Sequence, residues 1–175
     1  PTSDGRLSCE NVVVQEWIDG REPATEQDWR LVADELQRLH RACAGRPQRP
    51  GCVEVTRLTR RGASVDADLA GVPDDVAAEL IAVFAEFADA PVSVVHGDPG
   101  ASNIRITDDG RVGLLDWDES RVDIVLHDLS NLGVQVMNDH HHRRAQRLSH
   151  AWEAVNAWTL EPEYARQRLQ ALRHD

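Results

Sequence analysis

Apolar positions recur at helical spacing in several separated stretches of this chain, and short β-rich runs lie between them. Residues 11–17 (NVVVQEW), closed by Asp19-Gly20, predict one strand and an exit turn. Thr25 predicts a helix N-cap with Asp28 as the capping-box acid; Trp29, Val32, Ala33, Leu36, Leu39 and His40 then follow on one face. Periodicity is poor over residues 45–71, which read as an irregular connection around a short strand at residues 53–59. Pro73 predicts the opening of a second helix, with Asp74 and Asp75 in its first turn, Val76, Leu80, Val83, Phe84 and Phe87 as its buried stripe, and Pro91 as its limit. A strand at residues 92–95, a polar loop, and strands at 104–107 and 111–115 around Asp108-Asp109-Gly110 predict a hairpin entered from a loop. The rest is helical, with Leu148, Ala151, Trp152, Val155 and Thr159 on one face, a break at Pro162 and a last helix to Leu172.

The 175 residues suit one domain with a core of ordinary size. The three cysteines, Cys9, Cys43 and Cys52, are odd in number and widely spaced, which suggests neither a disulfide framework nor a zinc site. With no apolar run of membrane-spanning length and no signal-like start, the expected setting is cytoplasmic, with no membrane partner. A net charge of −11 argues against a nucleic-acid partner and is compatible with a cationic substrate. All 19 basic residues are arginine, so the chain has no lysine.

Chemistry concentrates around the hairpin. Its turn places Asn103 and Asp116 at the open end of the ladder, where cross-strand neighbours are about 5 Å apart. Asp98 lies on the loop just upstream, which completes a set of three hard oxygen donors of the kind magnesium takes together with water and nucleotide phosphates. The run of residues 96–103, HGDPGASN, is an HGDxxxxN pattern that resembles the catalytic loop of the aminoglycoside phosphotransferases, relatives of the protein kinases. Residues 113–117 (GLLDW) resemble that family's metal-binding segment, and Asp128-Leu129 its later bracing Asp.

The resemblance implies a mainly helical α+β fold, a protein-kinase-like C-terminal lobe carrying a short catalytic β-hairpin. It implies Asp98 as the catalytic residue taking the proton of the substrate hydroxyl, Asn103 and Asp116 as Mg2+ ligands, and His96 and Asp128 as structural support. Residues 12–20 (VVVQEWIDG) resemble the interlobe hinge, which implies that the Glu16 carbonyl and Ile18 amide meet the base of ATP or GTP; Leu39-His40 resembles the family's LH motif. Residues 1–20 would then be the hinge region and 21–175 the lobe. Two departures stand out: Asp123-Ile124-Val125 replaces the usual Gly-Asp-Pro, and Asp118 a glycine. His140 to His142 read as a surface run, because adjacent helical residues point apart.

A complete kinase also needs a phosphate-covering loop and a lysine on the nucleotide phosphates. Neither appears, so the N-lobe is expected to be absent and to be supplied by a missing segment or a second chain. The expected function is transfer of a γ-phosphoryl group to a hydroxyl of a small molecule. The alternatives are a non-catalytic, pseudokinase-like binding module and, less favoured, a metal-dependent phosphohydrolase.

Overall fold

Local chemistry starts the first helix where the sequence predicts it. The computed structural model describes residues 8–9, 12–13, 17–59, 67–130, 132 and 137–174. Helix α1 (Glu26–Ala42) opens with the Thr25 hydroxyl accepting from the Asp28 amide and the Asp28 carboxylate accepting from the Thr25 amide, a reciprocal capping box. Asp28 also takes both Nη atoms of Arg21 at 2.8 Å and the Ala24 amide at 3.0 Å. These bonds, the arginine's first, hold its carboxyl far below the usual range.

Helix α2 (Asp74–Ala85) begins after Pro73, and a series of turns carries the chain on to Pro91. The predicted stripe of Val76, Leu80, Val83, Phe84 and Phe87 is buried throughout. The expected strand at residues 53–59 is instead a 3-10 turn, Val55–Arg57. Its amides bond three residues back, Arg57 to Glu54 and Leu58 to Val55, and the Val55 amide is held by Asp123 Oδ1 at 3.2 Å rather than by a neighbouring strand.

Among the described residues the strands form three antiparallel pairs. The first joins β1 (Ser8–Cys9) to β2 (Val12–Val13). Strand β3 (Val92–Val95) pairs with β6 (Arg121–Ile124), matching Val92 to Ile124 and Val95 to Arg121. Between them in sequence, β4 (Ile104–Ile106) and β5 (Val112–Leu114) make the predicted hairpin, with Ile104 opposite Leu114. Arg21 adds a backbone bridge to Ile106, tying the segment before α1 onto the hairpin. The open edge of β6 is closed by a side chain: the Gln48 amide donates to the Val122 carbonyl at 2.8 Å and accepts from its N–H at 2.9 Å. This side-chain rung meets both outward backbone groups of Val122.

Helix α3 (Leu126–Ser130), α4 (Asp139–Ala157) and α5 (Pro162–Leu172) complete the chain, with Pro162 at the first position of α5. Two apolar clusters result. The larger joins α2, α4 and α5 with Ile124, and the smaller packs Val32, Ala33 and Leu36 of α1 on Ile104 and Ile106 of the hairpin. No described helix is long and apolar enough to cross a membrane.

Phe84 sits at the centre of the larger cluster, 1% exposed. Truncation to alanine is expected to cost about 3–5 kcal/mol, measured by urea unfolding; a loss under about 1 kcal/mol would show that this face is not packed as described.

Candidate functional site

The loop from β3 to β4 is held by a single buried carboxylate. Asp128, wholly buried on α3, accepts from the His96 amide at 2.8 Å, the Gly97 amide at 2.9 Å and His40 Nε2 at 2.8 Å. One side chain thus ties together the end of α1, the end of β3 and α3. His96 is also wholly buried, with Nε2 2.8 Å from the Leu115 carbonyl and Nδ1 accepting from the Asp98 amide at 3.4 Å. Those partners assign the neutral tautomer with the proton on Nε2. Its ring leans on Trp117 at 4.8 Å between centroids.

Gly97 has φ +98, and a Cβ there would lie 2.6 Å from the Glu119 carbonyl oxygen. Only glycine fits so close an approach. The next residue, Asp98, turns its exposed side chain toward Asn103. Asn103 Nδ2 donates to the Asp98 carbonyl at 3.0 Å and to Asp98 Oδ2 at 2.9 Å. With both amide hydrogens spent, the assignment leaves Asn103 Oδ1 as the free-facing acceptor apart from a long contact with Ser102 Oγ, at 3.4 Å.

Asp116 reaches the same end of the hairpin through the ladder. The Leu115 amide donates to the Asn103 carbonyl at 2.8 Å, which extends the β4–β5 register by one rung and puts Asp116 one residue beyond. Its φ is +58, the only positive value at a non-glycine among the described residues. Such backbone strain persists only where the surroundings impose it, and it gathers at functional sites.

The donor set suits magnesium. Asn103 Oδ1 and the Asp116 carboxylate offer two hard oxygens, the kind and number of protein ligands that magnesium takes when phosphates and water complete its shell. Among the described residues there is no group of three or more His, Cys, Asp or Glu side chains that could hold a metal ion.

Beside Asp98 lies a cavity of about 440 Å³, walled by Gly97, Glu119 and His127 and by Trp152, Tyr164 and Arg168 of the last two helices. Glu153, also on its wall, is engaged by protein donors: Ser149 Oγ at 2.7 Å, Arg168 Nη2 at 3.2 Å and the Tyr164 hydroxyl. Burial first, then the bond to Glu153, pushes the Tyr164 phenol up to about 12, so it stays a donor. The periodicity of α4 puts Trp152 on its apolar face but carries no signal for Glu153, Tyr164 or Arg168 as wall residues.

The hinge assignment divides. Glu16 lies outside the described residues, while Ile18 is half-buried against the hairpin, where a Cβ on Gly113 would meet Ile18 Cγ2 at 2.7 Å. Ile18 and the exposed Trp17 also line a broad groove of about 1160 Å³ with α1 and the hairpin turn. That groove contains none of Asp98, Asn103 and Asp116, and its hairpin residues belong to the turn end of the ladder. The smaller cavity, not the larger groove, adjoins the candidate chemistry. Glu119 packs by its backbone on Gly97 and lines the smaller cavity; Asp118 is exposed.

The fold is kinase-like. Residues 2–169 match the sequence profile of the phosphotransferase enzyme family, and the chain belongs to that family. Among solved structures, the choline kinase LicA from Streptococcus pneumoniae superposes with a TM-score of 0.55 at 15% identity, over 85% of this chain and 62% of that one. The likeness is one of fold, and the chain spans less than two thirds of that kinase's length. A macrolide 2'-phosphotransferase type I matches at 19% identity over 85% of this chain and 47% of its own, with a TM-score of 0.30, too loose an overlap to bear on the fold.

His127, one residue before the bracing Asp128, is buried with Nε2 no closer than 3.6 Å to Asp123 Oδ2. Burial, only partly opposed by Asp123, pushes its imidazole down to about 4 from an ordinary 6.5. Above pH 6.5 folded and unfolded chains both hold it neutral, so its folding contribution is fully present. Between pH 6.5 and 4 only the unfolded chain binds the proton, so stability falls with pH, by about 3 kcal/mol across the window. His127→Gln is expected to remove that slope; urea midpoints of the two proteins that stay parallel from pH 7 to pH 4.5 would contradict this.

Proposed function

We propose that this chain carries the catalytic lobe of an ATP-dependent small-molecule kinase, one that moves a γ-phosphoryl group to an alcohol. The observation that carries the reading is the Asn103–Asp98 side-chain bond, 2.9 Å long, at the hairpin end that Asp116 also reaches, beside a cavity open to Asp98. Membership of the phosphotransferase enzyme family supports it.

The roles follow from position. Asn103 Oδ1 and Asp116 would hold magnesium, which when bound neutralises charge on the transferring phosphates. Asp98, its carboxylate oriented by Asn103 Nδ2 and its amide by His96 Nδ1, would orient the acceptor hydroxyl and take its proton. Asp128 would keep the loop in this shape through the His96 and Gly97 amides, and His96 through the Asp98 amide and the Leu115 carbonyl. The acceptor would occupy the cavity beside Asp98, whose volume suits a small molecule. The Ile18 amide, with the Glu16 carbonyl, would meet the purine.

Phosphoryl transfer from radiolabelled ATP to a panel of small alcohols tests the proposal. Asp98→Asn is expected to lower kcat by about 100-fold or more while the Kd for Mg-ADP stays within about twofold. Asp116→Ala is expected to weaken magnesium-dependent nucleotide binding by about tenfold or more. Magnesium-dependent binding without transfer would favour a pseudokinase-like module; equal loss of folding in both variants would reduce the cluster to a structural role.

A further inference from the structure

The largest fully buried side chain among the described residues is an arginine, and it is not one of the residues assigned above. Arg121 opens β6 with its side chain wholly enclosed. Its Nε donates to Asp123 Oδ2 at 2.8 Å, its Nη1 donates to the Glu119 carbonyl at 3.0 Å, and its guanidinium lies 3.9 Å over the Trp152 ring. Nη2 is buried with no hydrogen-bond partner among the described residues. An enclosed ion pair with a donor left over stabilises a fold no better than apolar groups of the same volume. What this side chain contributes is geometry.

It joins two walls of one cavity. On one side is the turn after Asp116, where arginines hold three successive carbonyls: Arg49 Nη1 takes those of Asp118 and Ser120, and Arg121 Nη1 that of Glu119 between them. The Ser120 hydroxyl fixes the same turn to the Val95 carbonyl at 2.9 Å. This turn is the surface on which Gly97 rests, its missing Cβ leaving room for the Glu119 backbone. On the other side is Trp152 of α4, 5% exposed, which lines the cavity with Asp98 and is met edge-on by His127 at 5.6 Å. A planar fork can bond a carbonyl at one end, a carboxylate at the other and stack flat on an indole at once. A lysine ammonium is a compact point charge with no flat face, so it cannot stack on the indole while its donors span both the carbonyl and the carboxylate.

We infer that Arg121 is a positioning residue, fixing the Gly97-Asp98 segment relative to the Trp152 wall of the acceptor cavity. Its kinetic consequence rests on the phosphotransfer reading; the positioning does not. Through the Glu119 carbonyl it sets where Gly97 can sit, and through Trp152 how far α4 stands from Asp98.

The test is Arg121→Lys, with Arg121→Met as a volume-matched second variant should the lysine fail to fold, each checked by circular dichroism. Amide exchange is expected to rise about tenfold or more at Gly97, bonded to Asp128, and to stay unchanged at Leu115, bonded to Asn103 on the hairpin. In transfer assays kcat is expected to fall about tenfold or more with Mg-ADP affinity within about twofold. Unchanged Gly97 exchange, or unchanged kcat, in a folded variant overturns the inference. Absence of phosphate transfer by the wild-type protein, together with the exchange response in the Arg121 variants, counts against the phosphotransfer reading and supports the positioning.

Discussion

The carboxylate of Asp128 is the point on which the site depends. A wholly buried charge is tolerated only when its lone pairs are met by donors. Asp128 meets that demand with two consecutive loop amides and one imidazole, drawn from segments far apart in sequence. His40 brings α1, and the Ser93 hydroxyl bonds the His40 carbonyl at 2.7 Å, so the end of α1 is tied to β3 as well. The loop carrying Asp98 therefore leaves β3 in one direction only.

From that fixed exit the remaining geometry follows by short steps. His96 reaches across to Leu115 and so joins the loop to the far strand of the hairpin. Asn103 closes back on Asp98, and the extra rung at Leu115 carries Asp116 to the same end. The two apolar clusters lie on either side: one anchors the hairpin to α1, the other supports the cavity wall through α4 and α5. A loop positioned by packed elements in this way is where ligand chemistry is usually found.

Local signals in the sequence were the readable ones. Thr25 and Asp28 mark a helix start because a capping box is made by near neighbours, and Asp108-Asp109-Gly110 marks a turn because glycine there takes φ +78. Once the turn is known the ladder register follows, which is why Asn103 and Asp116 can be brought together from spacing alone. Long-range choices were not readable. Nothing near Arg121 announces that residues 121–124 pair with β3, and residues 53–59 have strand composition but meet Asp123 instead of another strand. Arg21 doubling the capping residue Asp28, and Gln48 serving as a rung on β6, are likewise tertiary facts. Wall residues such as Tyr164 and Arg168 lie off the periodic core faces, where sequence pattern says only that a residue is polar.

The central claim is that Asn103 and Asp116 flank one divalent ion next to Asp98. Manganese added with ADP to the nitrogen-labelled protein tests it most directly, because the paramagnetic ion broadens only amides close to it. Broadening is expected to be strongest at Asp98, Asn103 and Asp116 and to be reversed by excess magnesium. Broadening centred elsewhere, as on the His140–His142 run, with these three amides unaffected, would contradict the account.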